Sequence, residues 1–167
     1  MTALRKGIQI LHRVPALSAD RAGGGYTIVG DHITVAGQMA LNNVIELCAL
    51  PAGMIVSRFT LVAEDLDSNV SPTITLDAGI LDGQYLADLN DVGALRTCGA
   101  QFLAASTVGQ AGGVAVSAVA AGHLLAPSFS DRSIGLKVAA APATLVVGAR
   151  IRAYVEVVPA PPGVAFV

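Results

Sequence analysis

Charge is what this sequence has least of. Lys, Arg, Asp and Glu make up 13% of its 167 residues, against about 25% in an ordinary globular chain. Ten Lys and Arg face twelve Asp and Glu, a net charge of −2. There is no basic excess or basic stripe, so the balance excludes a nucleic-acid partner. Aromatics are also scarce, at 4%, and Trp is absent. Only two cysteines occur, Cys48 and Cys98, with no CxxC pair and no Cys/His cluster. That excludes a zinc site and predicts two buried free thiols in a chain made in a reducing cytoplasm, a disulfide between them being the alternative. Long apolar runs are missing too. The stretch Val114 to Ala126 is broken by Ser117, Gly122 and His123, short of the about 20 apolar residues a spanning helix needs. Arg5 and Lys6 could open a secretory signal, but His12 and Arg13 interrupt the apolar stretch that follows. Neither a membrane partner nor export is expected.

What is present is small and aliphatic. Hydrophobic residues reach 53%, mostly Ala, Val, Leu and Ile, with a mean hydropathy of +0.64, which excludes global disorder. The length suits one domain with a real core. An apolar chain that does not cross a membrane needs an assembly in which to hide surface.

Three regions follow from composition. Residues 1–25 hold four of the ten basic residues and end in Gly23-Gly24-Gly25. They read as an N-terminal arm whose Arg5, Lys6 and Arg13 pair with acidic surface while Ile8, Ile10 and Leu11 bury. These six are the candidate contact residues, toward a partner or a neighbouring subunit. Residues 26–158 read as a β-sandwich domain, and residues 159–167, with Pro159, Pro161 and Pro162, as an extended Pro-rich tail. Within the middle region the hydrophobic period is two. Tyr26–Val29 and His32–Val35 flank Gly30-Asp31, a hairpin signal. Asn43–Leu50, Met54–Glu64 and Thr73–Ile80 follow as strands, separated by turns at Pro51-Ala52-Gly53 and Ser71-Pro72. Residues 82–98 are irregular. Ala100–Leu103 reads as a strand, Ala104–Val108 as a helical turn, and Val114–Val119 and the region near Leu124 as strand pieces. Ile134, Leu136 and Val138 face inward with Ser133 and Lys137 outward. Ile151, Ala153, Val155 and Val157 alternate against Arg150, Arg152, Tyr154 and Glu156. Many short strands, frequent turns and almost no helix predict an all-β, antiparallel sandwich of jelly-roll type with an N-terminal arm.

No motif carries catalysis. Walker A, HExxH and GxSxG are absent, as is a dinucleotide-binding glycine fingerprint. His12, His32 and His123 are scattered, and no triad can be singled out among them. Asp65-x-Asp67-x-Asn69 copies the opening of a calcium loop, but Val70 stands where that loop needs Gly and Leu76 where it needs a bidentate Glu. It reads as an Asx-rich connection. No enzyme activity, cofactor, metal or small-molecule substrate is expected.

Several blocks together resemble the small capsid decoration, or cement, proteins of tailed bacteriophages. They are Leu50-Pro51-Ala52-Gly53; Glu64 to Asn69 with Ser71 to Gly79; Gly99-Ala100-Gln101-Phe102 running into Ala105 to Gly113; and Asp131 to Leu136. The resemblance covers residues 43–158 and leaves 1–42 outside. It implies a jelly-roll-like sandwich that forms a homotrimer, sits on the capsid exterior and clamps neighbouring subunits of the major capsid protein. The chain would then be made in the host cytoplasm and end in the virion. The competing expectation is a jelly-roll module that binds carbohydrate or a host receptor. The shortage of rings stands against it, with only Tyr26, Tyr85, Tyr154 and four Phe to stack on a sugar.

Overall fold

The computed structural model describes residues 4–6, 26–29, 33–82 and 97–167. Ten strands run through them: β1 Leu4–Lys6, β2 Tyr26–Val29, β3 Ile33–Thr34, β4 Val44–Leu50, β5 Met54–Ala63, β6 Thr75–Leu81, β7 Leu103–Ser106, β8 Gly113–Val116, β9 Arg132–Ala140 and β10 Arg150–Pro159. One helical turn, Ala120–His123, is the only helix among the described residues. The strands form two sheets. One has the order β1-β4-β9-β6-β7; the other is β2-β10-β5-β8, with β3 also on β10. All pairings are antiparallel except that of β1 with β4.

Taking β2 and β3 as one interrupted strand, the framework has eight strands in the orders 1-8-3-6 and 2-7-4-5. That is the double Greek key of a jelly roll. Every connection between framework strands changes sheet except β6 to β7. At the upper end lie the segments 35–43, 64–74, 107–112 and 141–149. At the lower end lie 51–53, 117–131 and the segment after β10.

The expected hairpin at Gly30-Asp31 does not form. Val29 pairs with Tyr154 and Ile33 with Ile151, so β2 and β3 follow one another along β10 in the same direction. The ten-residue β10 offers both segments a partner, whereas a hairpin would leave one of them off the sandwich. Gly30-Asp31 itself lies outside the described residues, as does the expected helical turn at Tyr85–Asn90. Two further differences concern alanine. Residues 103–106 are an edge strand and not a helical turn, since Leu103 pairs with Ala78 and buries. The Ala-Ala pair at 120–121 is helical where a strand piece is expected, consistent with alanine's helix preference when no sheet partner is at hand.

The two sheets differ in a way that accounts for the composition. In the second sheet β10 alternates cleanly: Ile151, Ala153 and Val155 are fully buried, Arg152 and Tyr154 between them half-buried, and the flanking Arg150 and Glu156 exposed. This is the pattern of a half-solvated antiparallel sheet. In the first sheet β4 is buried at all but one position, and β6 and β9 each carry an unbroken buried run, Leu76–Gly79 and Ser133–Leu136. Their outer face is covered in part by the segment 97–102. A Cβ on Gly79 would lie 2.5 Å from the backbone carbonyl carbon of Gly99, so only glycine lets that segment pass. Val44, Leu81 and Cys98 form a second small cluster on this face. Ser133, expected outside, is fully buried there and donates to the Glu46 carboxylate. Asp77 and Lys137, directly opposite in β6 and β9, pair at 2.8 Å. Both cysteines are free and buried, and burial pushes each thiol up to about 12, so neither is a nucleophile at neutral pH.

Phe59 on β5 and Phe102 beside β7 stack across the main core with ring centroids 5.2 Å apart. Both are fully buried, and the pair spans the two sheets. Phe102→Ala should lower the unfolding free energy by about 3–5 kcal/mol, as large-to-small core changes at aromatic positions do. Urea denaturation measures this, and a loss below about 1 kcal/mol would contradict the packing described.

Candidate functional site

The acidic stretch after β5 is a clamp. The Asp67 side chain is buried, and its Oδ2 accepts backbone N–H groups from Thr73 at 2.7 Å, Ala143 at 2.9 Å and Ile74 at 3.3 Å. Its Oδ1 accepts from Thr144 at 2.7 Å and Asn69 at 3.4 Å. Asp65 and Asn69 close Asx turns on the N–H groups of Asp67 and Ser71. Burial alone would raise the Asp67 pKa; the N–H groups of Thr144, Thr73, Ala143 and Ile74 outweigh it and hold the carboxyl well below the usual range. A cation would need these same oxygens, and they are filled by donors. Sequence shows the Asx turns; it does not show that the same carboxylate holds Ala143 and Thr144, 76 and 77 residues away.

On the outer face of the second sheet, Val62, Glu64, Arg150, Ile151, Arg152 and Tyr154 line a shallow depression of about 360 Å³. Glu64 accepts from Arg150 through the backbone N–H at 2.8 Å, Nε at 2.8 Å and Nη2. The side-chain bond from Arg150 is the main reason its carboxyl sits below its ordinary range. The depression's one carboxylate is thus held ionised and occupied, and no histidine, cysteine or serine lines it.

The lower end joins apolar side chains to two charged groups: Asp131 accepts from Ala52 N–H at 2.8 Å, and Arg132 donates to the Ala126 carbonyl at 2.9 Å. The backbone there is cross-tied: Gly53, in a left-handed turn at φ 74°, donates to the Ser128 carbonyl and accepts from Ala160 N–H, both at 2.9 Å. Val167 N–H donates to Pro127 O at 3.0 Å. The segment after β10 therefore folds back instead of extending freely, because its Val-Ala-Phe-Val end has an apolar neighbour to pack on. Phe166 stacks on Phe129 at 4.9 Å with 28° between ring planes. Phe129 nevertheless remains 80% exposed. Sequence reading passed over Phe129 and Phe166; the available signal was an aromatic residue in each of two charge-free, proline-bearing segments.

Of the six arm residues, Arg5 and Lys6 lie in β1, in register with Ile45 and Glu46 of β4. Ile8, Ile10, Leu11 and Arg13 lie outside the described residues, as do His12 and His32. His123 ends the single helical turn and is exposed. Among the described residues no group of three or more His, Cys, Asp or Glu is placed to hold a metal ion.

The described residues thus belong to a jelly roll that offers surfaces. Comparison with known proteins places it more closely. No protein-family model matches the chain, and no curated protein matches it. Among solved structures, a chain in the capsid of Ralstonia phage GP4 is 35% identical with a TM-score of 0.85; the match covers 95% of this chain and 99% of that one. A chain in the capsid asymmetric unit of cyanophage Pam1 is 27% identical with a TM-score of 0.64, over 89% of this chain and 94% of that one. The chain belongs to this family of phage capsid proteins, and it is a structural component of a virion that associates with other capsid subunits.

The clamp yields a pH prediction. A carboxyl with a depressed folded pKa contributes stability above its unfolded value, near pH 4, and loses it as pH falls toward the folded value. Asp67→Asn should lower the denaturation midpoint at pH 7 and flatten the acid limb between about pH 4 and pH 2. Asp65→Asn, whose amide oxygen can still accept the Asp67 N–H and so keeps its Asx turn, should do neither to the same degree. Equal effects of the two changes in paired pH-dependent melts would refute the clamp.

Proposed function

We propose that the protein decorates the outside of the assembled phage head, as a homotrimer that bridges neighbouring subunits of the major capsid protein. The observation that carries this reading is the match to nearly the full length of a capsid-derived chain. That chain is of about this length, since the match covers 99% of it. The blocks at residues 50–53, 64–79, 99–113 and 131–136 add the likeness to cement proteins.

The mechanism is thermodynamic and not enzymatic. A protein that binds the closed shell, and not its loose subunits, stabilises the shell by mass action. Three linked copies combine individually weak contacts through effective concentration. The arm contributes Arg5, Lys6 and Arg13 as cations and Ile8, Ile10 and Leu11 as apolar contacts, toward the shell or a neighbouring copy. No cofactor, nucleic acid, membrane or small substrate enters. The chain is made in the host cytoplasm and placed on the capsid exterior.

A second reading, a carbohydrate- or receptor-binding module, draws support from the depression beside Tyr154, where a ring and the Arg152 guanidinium share a concave surface. Light scattering should give about three times the 16.8 kDa chain mass, and the protein should co-sediment with heads purified without it. A chain starting at Gly25 should fold but attach at reduced occupancy. A stable monomer that ignores heads at micromolar concentration, yet binds glycans on an array, would replace the first reading with the second.

A further inference from the structure

Asp77 on β6 stands between β9 and β7, and each neighbour holds one of its oxygens. From β9, the Lys137 ammonium lies 2.8 Å from Oδ2, the two residues being directly opposite. From β7, the Ala105 N–H donates to Oδ1 at 2.8 Å. That second contact comes from an irregularity. Leu76 pairs with Ser106 and Ala78 with Leu103, so Asp77 alone faces two residues, Ala104 and Ala105. This is a bulge, a feature that re-aims groups and recurs beside reactive sites. Ala105 takes a left-handed φ of 48°, uncommon for a residue with a side chain, and strain of this kind clusters at functional sites. The pair is mostly sheltered. The Asp77 side chain is 12% exposed and that of Lys137 28%. On its other side Lys137 stands opposite Val44, which clusters with Leu81 and Cys98 on this face.

We propose that Lys137 and Asp77 form a modification site, where they condense to an intramolecular amide that ties β9 to β6 covalently. The step balances within the pair. The ammonium passes one proton across the 2.8 Å contact to Oδ2, which leaves an amine beside a carboxylic acid. The amine nitrogen attacks Cγ and forms the new C–N bond. Negative charge developing on Oδ1 meets the Ala105 N–H, placed as an oxyanion donor is. A second proton moves from the nitrogen to Oδ2, the Cγ–Oδ2 bond breaks, and that oxygen leaves as water. The products are one amide and one water; nothing is oxidised or reduced. Proximity supplies what condensation lacks in dilute solution, because well-oriented groups held in contact react at effective molarities of about 10⁵–10⁸ M. The amide also removes two charges from a sheltered place, where an ion pair recovers little of its lost hydration. β9 and β6 are neighbours inside the first sheet, so the bond holds a long-range pairing closed whichever surface the protein uses in the virion.

Intact-mass spectrometry of the purified full-length protein, unfolded in denaturant, tests this. The parent should be lighter than its sequence by one water. Its tryptic digest should contain a branched peptide joining Asp77 to Lys137, with no cleavage after Lys137. Lys137→Arg, which keeps the ion pair, and Asp77→Ala should each show the full sequence mass. A cooperative melt confirms that Lys137→Arg is folded, and its midpoint should lie below the parent's. A parent at full sequence mass after prolonged incubation in the folded state would overturn the inference and leave an ion pair only. So would a water loss that persists in Lys137→Arg or maps to Asp82-Gly83, the mark of a succinimide at an Asp-Gly step. Neither outcome touches the decoration reading.

Discussion

One carboxylate ties the sandwich closed. The segment from β5 to β6 crosses from the second sheet to the first, and the segment from β9 to β10 crosses back. Asp67 receives N–H groups from both. A jelly roll is a set of long-range crossings, and each costs loop-closure entropy before any contact forms. Fixing two of them to a single buried anion gives the upper end a rigid corner that apolar packing, being non-directional, cannot supply. The charge is buried at little cost because peptide N–H groups replace its water.

The low charge content of the chain follows from the same architecture. A jelly roll with both sheets half-solvated would show alternation in every strand. Here β10 of the second sheet does, while β4 of the first is buried at all but one position. The first sheet is covered in part on its outer face as well, which leaves fewer positions where a charged residue can reach water. Asp77 and Lys137 occupy two of the remaining ones and neutralise each other.

This division also marks how far the sequence could be read. The strands β5 and β10 were legible almost to the residue, because a half-buried strand writes its period into the sequence. The fold class was legible from turn spacing and the lack of helix. The outer cover of the first sheet was not, since it depends on residues 97–102 crossing at Gly79, and no local pattern announces a close approach twenty residues away. The Gly30-Asp31 pair misled because local turn chemistry cannot register that β10 is long enough to hold both flanking segments. For the functional surface, the cationic arm drew attention through composition, while Phe129 and Phe166 gain meaning only when the chain's last residues return to 127–129. An aromatic residue among prolines is unremarkable until its partner is in place.

The proposed function is that of an external clip on the capsid shell. Electron cryomicroscopy of the parent virion, at a resolution that traces strands, tests this most directly. The decoration reading predicts three-lobed density on the outside of the head, each lobe a jelly roll. Density for this chain within the continuous wall or on the tail would contradict it.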